Sequence, residues 1–266
     1  MMKENIECLV TTTYNNHPEL AIKGNNAANY LGVLFAERRN QSLDELKAAY
    51  GVNNILLAAK DGWKLHTSGG EFYFHLNMAH LRIKNIKGGQ SDHMVDAMQL
   101  TEGMSVLDCT LGLASDAIIA SYVTGATGKV TGLEASPLIA LVVGDGLQEF
   151  SADDEQIDDA LRRIKVVQSN YQQFLLKQAD KSWDIVYFDP MFRHPLKDSI
   201  ALNPLRFLAD YAAVSSEILQ EATRVARRRV VFKENSRSNE FVRLGFTKIC
   251  GGKYSSVHYG VKEIDE

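Results

Sequence analysis

The sequence predicts an α/β fold in which a doubly wound, mainly parallel seven-stranded sheet ends in an antiparallel hairpin and follows a small α/β unit. Three observations carry that prediction. From Gly89 to the C-terminus, apolar strand-like runs alternate regularly with helical patterns, which implies right-handed βαβ crossovers and a parallel sheet. The last two strand-like runs have little between them, so they read as an antiparallel pair. Before Gly89 the elements are shorter and less regular. The expected organisation is therefore an N-terminal domain over residues 1–88 and a cofactor-binding domain over 89–266.

In the first part, Cys8–Thr13 is rich in β-formers, Pro18–Leu31 suits a helix, and Gly32–Ala36 is short and apolar. Ser42-Leu-Asp-Glu45 is a capping-box pattern for a helix Leu43–Tyr50 that Gly51 ends. Asn54–Ala59 and Glu71–Leu76 read as strands. The second part begins with a helix at Ser91–Leu100 and a strand at Met104–Cys109, followed by a helix Ser115–Tyr122 and a strand Lys129–Leu133. Ser136-Pro137 supplies an N-cap and a first-turn proline for Leu138–Phe150. Strand Lys165–Gln168, helix Tyr171–Ala179 and strand Asp184–Phe188 come next. Helix Val214–Ala226, strand Val230–Lys233 and the pair Phe246–Cys250 and Val257–Ile264 complete the pattern.

Composition excludes several classes. The chain of 266 residues is 45% hydrophobic and 23% charged, as ordinary globular proteins are. It has no run approaching the roughly 20 apolar residues of a membrane span, and no secretory signal pattern opens it. The expected location is the cytoplasm, with no membrane partner. Cys8, Cys109 and Cys250 are scattered, and the seven histidines show no ligand spacing, so neither a disulfide framework nor a metal site is expected. The net charge of −4 hides two basic groups: Arg82, Lys84 and Lys87, and Arg224, Arg227, Arg228, Arg229 and Lys233. Such local basic faces are compatible with RNA.

In doubly wound sheets ligands bind at the carboxyl ends of the strands, where strand order reverses. The first such turn runs Asp108-Cys-Thr110-Leu-Gly112-Leu-Ala-Ser115-Asp116 and opens a helix. Gly112 allows close approach of the backbone to a ligand, and about 22 residues later Glu134 ends the next strand, where an acid can accept ribose hydroxyls. The turn lacks the second glycine that admits a pyrophosphate and carries an acid at each end. Acids disfavour phosphate and tolerate a cationic or zwitterionic ligand, which favours S-adenosylmethionine over a nicotinamide dinucleotide. The fourth strand runs directly into Asp189-Pro190-Met191-Phe192. Proline extends the residue before it, so Asp189 and nearby carbonyls are expected in the cleft as acceptors, with Phe192 as a stacking face. That pairing suits an exocyclic amine on a planar base, although Asp-Pro also occurs in plain strand-ending turns.

Asp189-Pro-Met-Phe192 resembles the Asp/Asn-Pro-Pro-Tyr/Phe motif of methyltransferases acting on base amines. Together with Met78-Ala-His80, the Gly88-Gly89 stretch and the Asp108–Asp116 turn, it is similar to the bacterial 16S rRNA guanine-N2 methyltransferase family. The resemblance covers roughly residues 70–233 and implies a Rossmann-like fold with S-adenosylmethionine (SAM) as cofactor. It places Ser115 and Asp116 at the cofactor, beside Asp108, Thr110 and Gly112 of the turn already read as a cofactor loop, with Glu134 and Ala135 at the ribose and Asn170 near the adenine. Asp189 borders cofactor and target, with Pro190 and Phe192 completing the reaction centre. Met191, Arg193, His194, Lys197, Lys233, Arg82 and Lys84 become candidates for substrate contact, and ribosomal RNA or the small ribosomal subunit the expected partner. There are two departures from the family pattern. Ala114 stands where many members have glycine, which predicts a reshaped loop, and Arg193-His194-Pro195 replaces a Pro-His-Lys pattern. The alternatives are methyl transfer to DNA adenine or a small molecule, a nicotinamide oxidoreductase, and a non-catalytic RNA-binding or assembly factor.

Overall fold

The computed structural model describes residues 6–14, 17–76, 78–190 and 214–265. They pack as two units: residues 6–75 with 137–150, and the described remainder.

The first unit is built from β1 (Cys8–Thr12), α1 (Pro18–Leu31), β2 (Leu34–Phe35), α2 (Leu43–Tyr50), β3 (Asn54–Ala59), β4 (Gly62–Thr67) and β5 (Gly70–Tyr73). Its sheet has the order β2-β1-β3-β4-β5, parallel on both sides of β1 and antiparallel beyond β3. The capping box forms as expected. Ser42 Oγ accepts from the Glu45 amide at 3.2 Å, Glu45 Oε2 accepts from the Ser42 amide at 2.7 Å, and Gly51 closes α2 at φ 64°. Strand β4 is the element that the sequence pattern does not reveal. It alternates buried Trp63, Leu65 and Thr67 with half-buried Gly62, Lys64 and His66, and its polar members mask the period.

The second unit opens with α3 (Met78–Lys87), α4 (His93–Met98), β6 (Ser105–Asp108), α5 (Ser115–Thr124) and β7 (Lys129–Glu134). The chain then runs through α6 (Pro137–Glu149), which belongs to the first unit and packs on β4. Lys23 Nζ reaches Asp145 Oδ2 at 2.8 Å, and Phe74 meets Phe150 edge-on at 5.6 Å. A Cβ on Gly146 would collide with the Phe74 ring, so glycine permits this close approach. The second unit resumes with α7 (Glu155–Arg162), β8 (Lys165–Gln168), α8 (Tyr171–Leu175) and β9 (Trp183–Phe188). After residues 191–213, α9 (Ser216–Val225), β10 (Ala226–Asn235), α10 (Glu240–Arg243), β11 (Lys248–Cys250) and β12 (Val257–Glu263) follow. Helix α3, which the boundary at residue 88 would assign to the first domain, lies in the second unit and packs on α5. Its buried stripe, Ala79 and Ile83, is only two residues long, which is too short to stand out in the sequence.

The seven strands of the second unit are ordered β11-β12-β10-β9-β6-β7-β8. All pairings from β10 to β8 are parallel, and β12 runs antiparallel to both β10 and β11. The architecture is the predicted Rossmann-like sheet with its antiparallel C-terminal pair. Strand order reverses between β6 and β9, and the Asp108–Asp116 turn and Asp189 follow those two strands. On the side of β10 and β12, Phe232 stacks on Phe246 at 5.8 Å, and Phe241 meets both rings edge-on. Gly260 makes room for them, because a Cβ there would lie 2.7 Å from Phe246 and 2.8 Å from Phe241. Such aromatic pairs contribute about 1 kcal/mol each beyond burial, and they fix the strand position that carries Lys233.

Candidate active site

The turn after β6 folds back on itself before α5 begins. Asp108 Oδ1 accepts from the Thr110 amide at 2.9 Å, and Leu111 O accepts from the Ala114 amide at 2.8 Å. Gly112 sits at φ 49° and Ala114 at φ 62°. Ala114 therefore takes the left-handed conformation that a glycine would have taken, so the expected reshaping of the loop is not found. The substitution instead leaves strain, of order 1–2 kcal/mol for a left-handed alanine.

The turns after β6 and β9 are joined directly. Tyr187 O accepts from the Cys109 amide at 2.9 Å, and Thr110 Oγ1 accepts from the Asp189 amide at 2.6 Å. Thr110, expected at the cofactor, thus fixes the backbone from which the Asp189 side chain projects. On the other side, Glu134 at the end of β7 accepts from the Gly112 amide at 3.2 Å and from the Ser136 amide at 2.8 Å. These two main-chain donors set the direction of this half-buried carboxylate. Ala135 O accepts from Gln168 Nε2 at 3.1 Å, and Asn170 Oδ1 caps α8 through the Gln172 amide at 2.8 Å. Ser115, half-buried, begins α5.

Charge is arranged as an alternating ladder. Asp92 caps α4 and takes Arg82 in a two-point pair, Nε to Oδ2 at 2.7 Å and Nη2 to Oδ1 at 2.8 Å. Arg82 Nη1 donates to Asp116 Oδ1 at 2.5 Å. Lys233 Nζ lies 2.8 Å from both Asp116 Oδ2 and Asp189 Oδ2, and the Tyr187 hydroxyl donates to Asp116 Oδ2 at 2.7 Å. Against the cost of burial, Lys233 and Arg82 hold Asp116 far below the ordinary carboxylate range. Burial raises Asp189 despite the pull of Lys233, and the charge on Asp116 adds to the rise. Asp108, almost wholly enclosed, is pushed up to about 8 by burial, with the charges of Asp116 and Asp189 adding to the effect of the enclosure.

Several expected site residues come together here: Asp108, Thr110, Gly112, Ser115 and Asp116 on one turn, Glu134 and Ala135 beside it, and Asp189 and Pro190 across from it. Three carry different duties from those expected. Asp116 accepts from Arg82, Lys233 and Tyr187, which ties the turn to α3, β9 and β10. Arg82 and Lys233 were candidates for RNA phosphates, yet their donors meet carboxylates inside the second unit. Lys84 is exposed on α3. Met191, Phe192, Arg193, His194 and Lys197 lie outside the described residues. The second basic group is likewise engaged, since Arg224 pairs with Asp180 and Glu221, Arg227 and Arg228 with Asp184, and Arg229 with Glu263. Sequence reasoning missed Asp92 and Tyr187. The signal for Asp92 was its place just ahead of the helical pattern, and for Tyr187 a hydroxyl inside a buried strand, which needs a partner.

The donor set suits SAM. Four carboxylates, Asp108, Asp116, Glu134 and Asp189, surround the turn, an environment hostile to a pyrophosphate and suited to a sulfonium ligand. A Rossmann-like sheet with an acid-lined turn at its switch point defines a class I SAM-dependent methyltransferase.

Comparison with known proteins agrees. The SAM-dependent methyltransferase family model matches residues 52–245, and the chain belongs to that family. It is 35% identical over 254 residues to the uncharacterized protein YpiP of Bacillus subtilis (strain 168), spanning 95% of this chain and 98% of that protein. It is 32% identical over 206 residues to ribosomal RNA small subunit methyltransferase J of Tolumonas auensis, spanning 74% of this chain and 80% of that one. A crystal structure of a SAM-dependent methyltransferase from Neisseria gonorrhoeae shares the fold, with a TM-score of 0.64, 17% identity and coverage of 96% and 95%. The cofactor is S-adenosylmethionine. No helix among the described residues is long and apolar enough to cross a membrane, and no group of three or more metal-ligating side chains occurs among them.

Proposed function

We propose that this methyltransferase transfers the methyl group to the exocyclic N2 amine of a guanine in small-subunit ribosomal RNA. The observation that carries the amine assignment is Asp189, held by Thr110 and Lys233 at the switch point with one carboxylate oxygen in the pair with Lys233. The similarity to methyltransferase J, described as acting on small-subunit ribosomal RNA, supports the choice of RNA over DNA.

SAM supplies an electrophilic methyl group on a sulfonium that leaves as a neutral thioether. Glu134 and the Gly112 turn would hold the cofactor's ribose. A guanine amine is a weak nucleophile because its lone pair is spread into the ring. Asp189 accepts one N–H of that amine, which turns the lone pair toward the methyl carbon and stabilises the positive charge that develops on nitrogen. The new N–C bond forms as the S–C bond breaks, and the amine proton leaves after transfer. The target base reaches this position single-stranded or flipped from its stack, with Phe192 as its proposed stacking face. Met191, Arg193, His194, Lys197 and Lys84 are proposed on the RNA side, and Ser115, Ala135 and Asn170 on the cofactor side.

Asp189→Ala tests the assignment. The variant is expected to bind S-adenosylhomocysteine as the wild type does in calorimetry and to lose methyl transfer by about a hundredfold or more. Undiminished turnover would remove Asp189 from the reaction. Naked 16S rRNA, assembled subunits and DNA assayed side by side are expected to give transfer to the ribosomal substrates alone.

A further inference from the structure

We infer that Lys233 is a positioning residue for methyl transfer, selecting Oδ1 of Asp189 as the atom that receives the acceptor amine. This rests on the reading of Asp189 given above. The carboxyl of Asp189 has two oxygens that could accept, and an amine held by the wrong one points its lone pair away from the methyl carbon. Lys233 Nζ occupies Oδ2 at 2.8 Å, while no donor among the described residues reaches Oδ1. The side chain of Asp189 is 26% exposed, so an incoming base can approach it.

The lysine is itself fixed. Its ammonium makes a second bond of the same length to Asp116, which is clamped by Arg82 and by Tyr187, and Arg82 is clamped by Asp92. Five charged groups, on α3, α5 and β10, at the cap of α4 and just after β9, thus alternate in sign and end at Asp189. Two cations against three anions leave one negative charge, and its outer member is the carboxylate beside the reacting nitrogen. That suits a transition state in which the amine becomes positive. The register of β10 with β12, pinned by Phe232, Phe241 and Phe246, holds Lys233 at this point.

The same arrangement makes the pH profile diagnostic. Asp116, Tyr187, Tyr259 and Glu234 act electrically on Asp189 or Lys233, with Asp108 and Arg82 next to that group. Removing the lysine charge takes away the one cation that acts directly on Asp189 among the described residues, leaving Arg82 one residue farther off behind Asp116, so the Asp189 carboxyl holds a proton to higher pH. The ionised carboxylate is the stronger acceptor and the better stabiliser of positive charge on nitrogen, so the acidic limb of the rate profile moves up with it.

The test compares Lys233→Met, Lys233→Arg and Asp189→Ala in the full chain, with S-adenosylhomocysteine affinity, KM, kcat and the pH dependence of kcat as readouts. Lys233→Met is expected to keep cofactor affinity, to lose kcat about tenfold at neutral pH, and to move the acidic limb up by about one pH unit or more. Lys233→Arg is expected to restore most of the rate and return the limb to its original place. A Lys233→Met enzyme with wild-type kcat and profile, alongside an inactive Asp189→Ala, would overturn the inference while leaving the role of Asp189 intact. An active Asp189→Ala would overturn the reading beneath it. If Lys233→Met fails to fold, a profile for Lys233→Arg shifted as far as that of an Asp116→Asn variant would contradict selection by the lysine.

Discussion

Asp189 and Ala114 show two ways in which single residues shape this site. Asp189 was legible because a strand running into Asp-Pro places an acceptor at the cleft whatever the rest of the fold does. What the sequence could not show is the pairing that sets its charge, since Lys233 lies 44 residues away and becomes its neighbour only through the β9–β10 ladder. The same limit explains why Arg82 and Lys233 read as RNA contacts: a basic residue seen without its partner looks free. Ala114 is the opposite case. Its identity predicted a changed loop, yet the backbone keeps φ 62° and the alanine bears the strain. Ala114→Gly is therefore expected to raise stability by about 0.5–1 kcal/mol, the strain relieved less the added freedom of the unfolded chain. Chemical denaturation at neutral pH measures it, and a loss of stability would show that the alanine methyl packs well enough to outweigh the backbone term.

At the scale of elements, the regular βαβ rhythm after Gly89 made the seven strands readable, including the closing antiparallel pair. Helices α3 and α7 were not, for different reasons. Helix α3 buries only Ala79 and Ile83, and its basic residues drew attention to charge. Helix α7 has a stripe of Ile157, Ala160 and Leu161 after an Asp154 cap, but the acids of its first turns mask that stripe in the sequence. Helix α6 was placed correctly in sequence, yet nothing local announced that it would pack in the first unit against β4. The contact depends on Gly146 lying under Phe74, with Lys23 and Asp145 paired nearby. Gly146→Val is expected to cost about 1–3 kcal/mol by overpacking, read as a lower midpoint in thermal or denaturant unfolding. An unchanged midpoint would mean that the Phe74 ring moves aside freely.

Across the whole molecule, the net charge of −4 and the two basic groups invited opposite conclusions about RNA, and neither count resolved the matter. Pairing does. Arg82, Lys233 and the Arg224–Arg229 group are bound to acids of the second unit, which leaves Lys84 and the residues after Pro190 as the contacts proposed for RNA. The class of enzyme follows from the sheet, the acid-lined turn and family membership together, and the proposed acceptor rests on Asp189. The most direct test of that choice is mass spectrometry of small-subunit rRNA nucleosides from cells with and without the gene, with the purified enzyme and SAM added back to the deficient subunits. Loss of an N2-methylguanosine in the deficient cells, restored by the enzyme in vitro, is the predicted result. An unchanged N2-methylguanosine content, or a methyl group restored instead to an adenine, would contradict it.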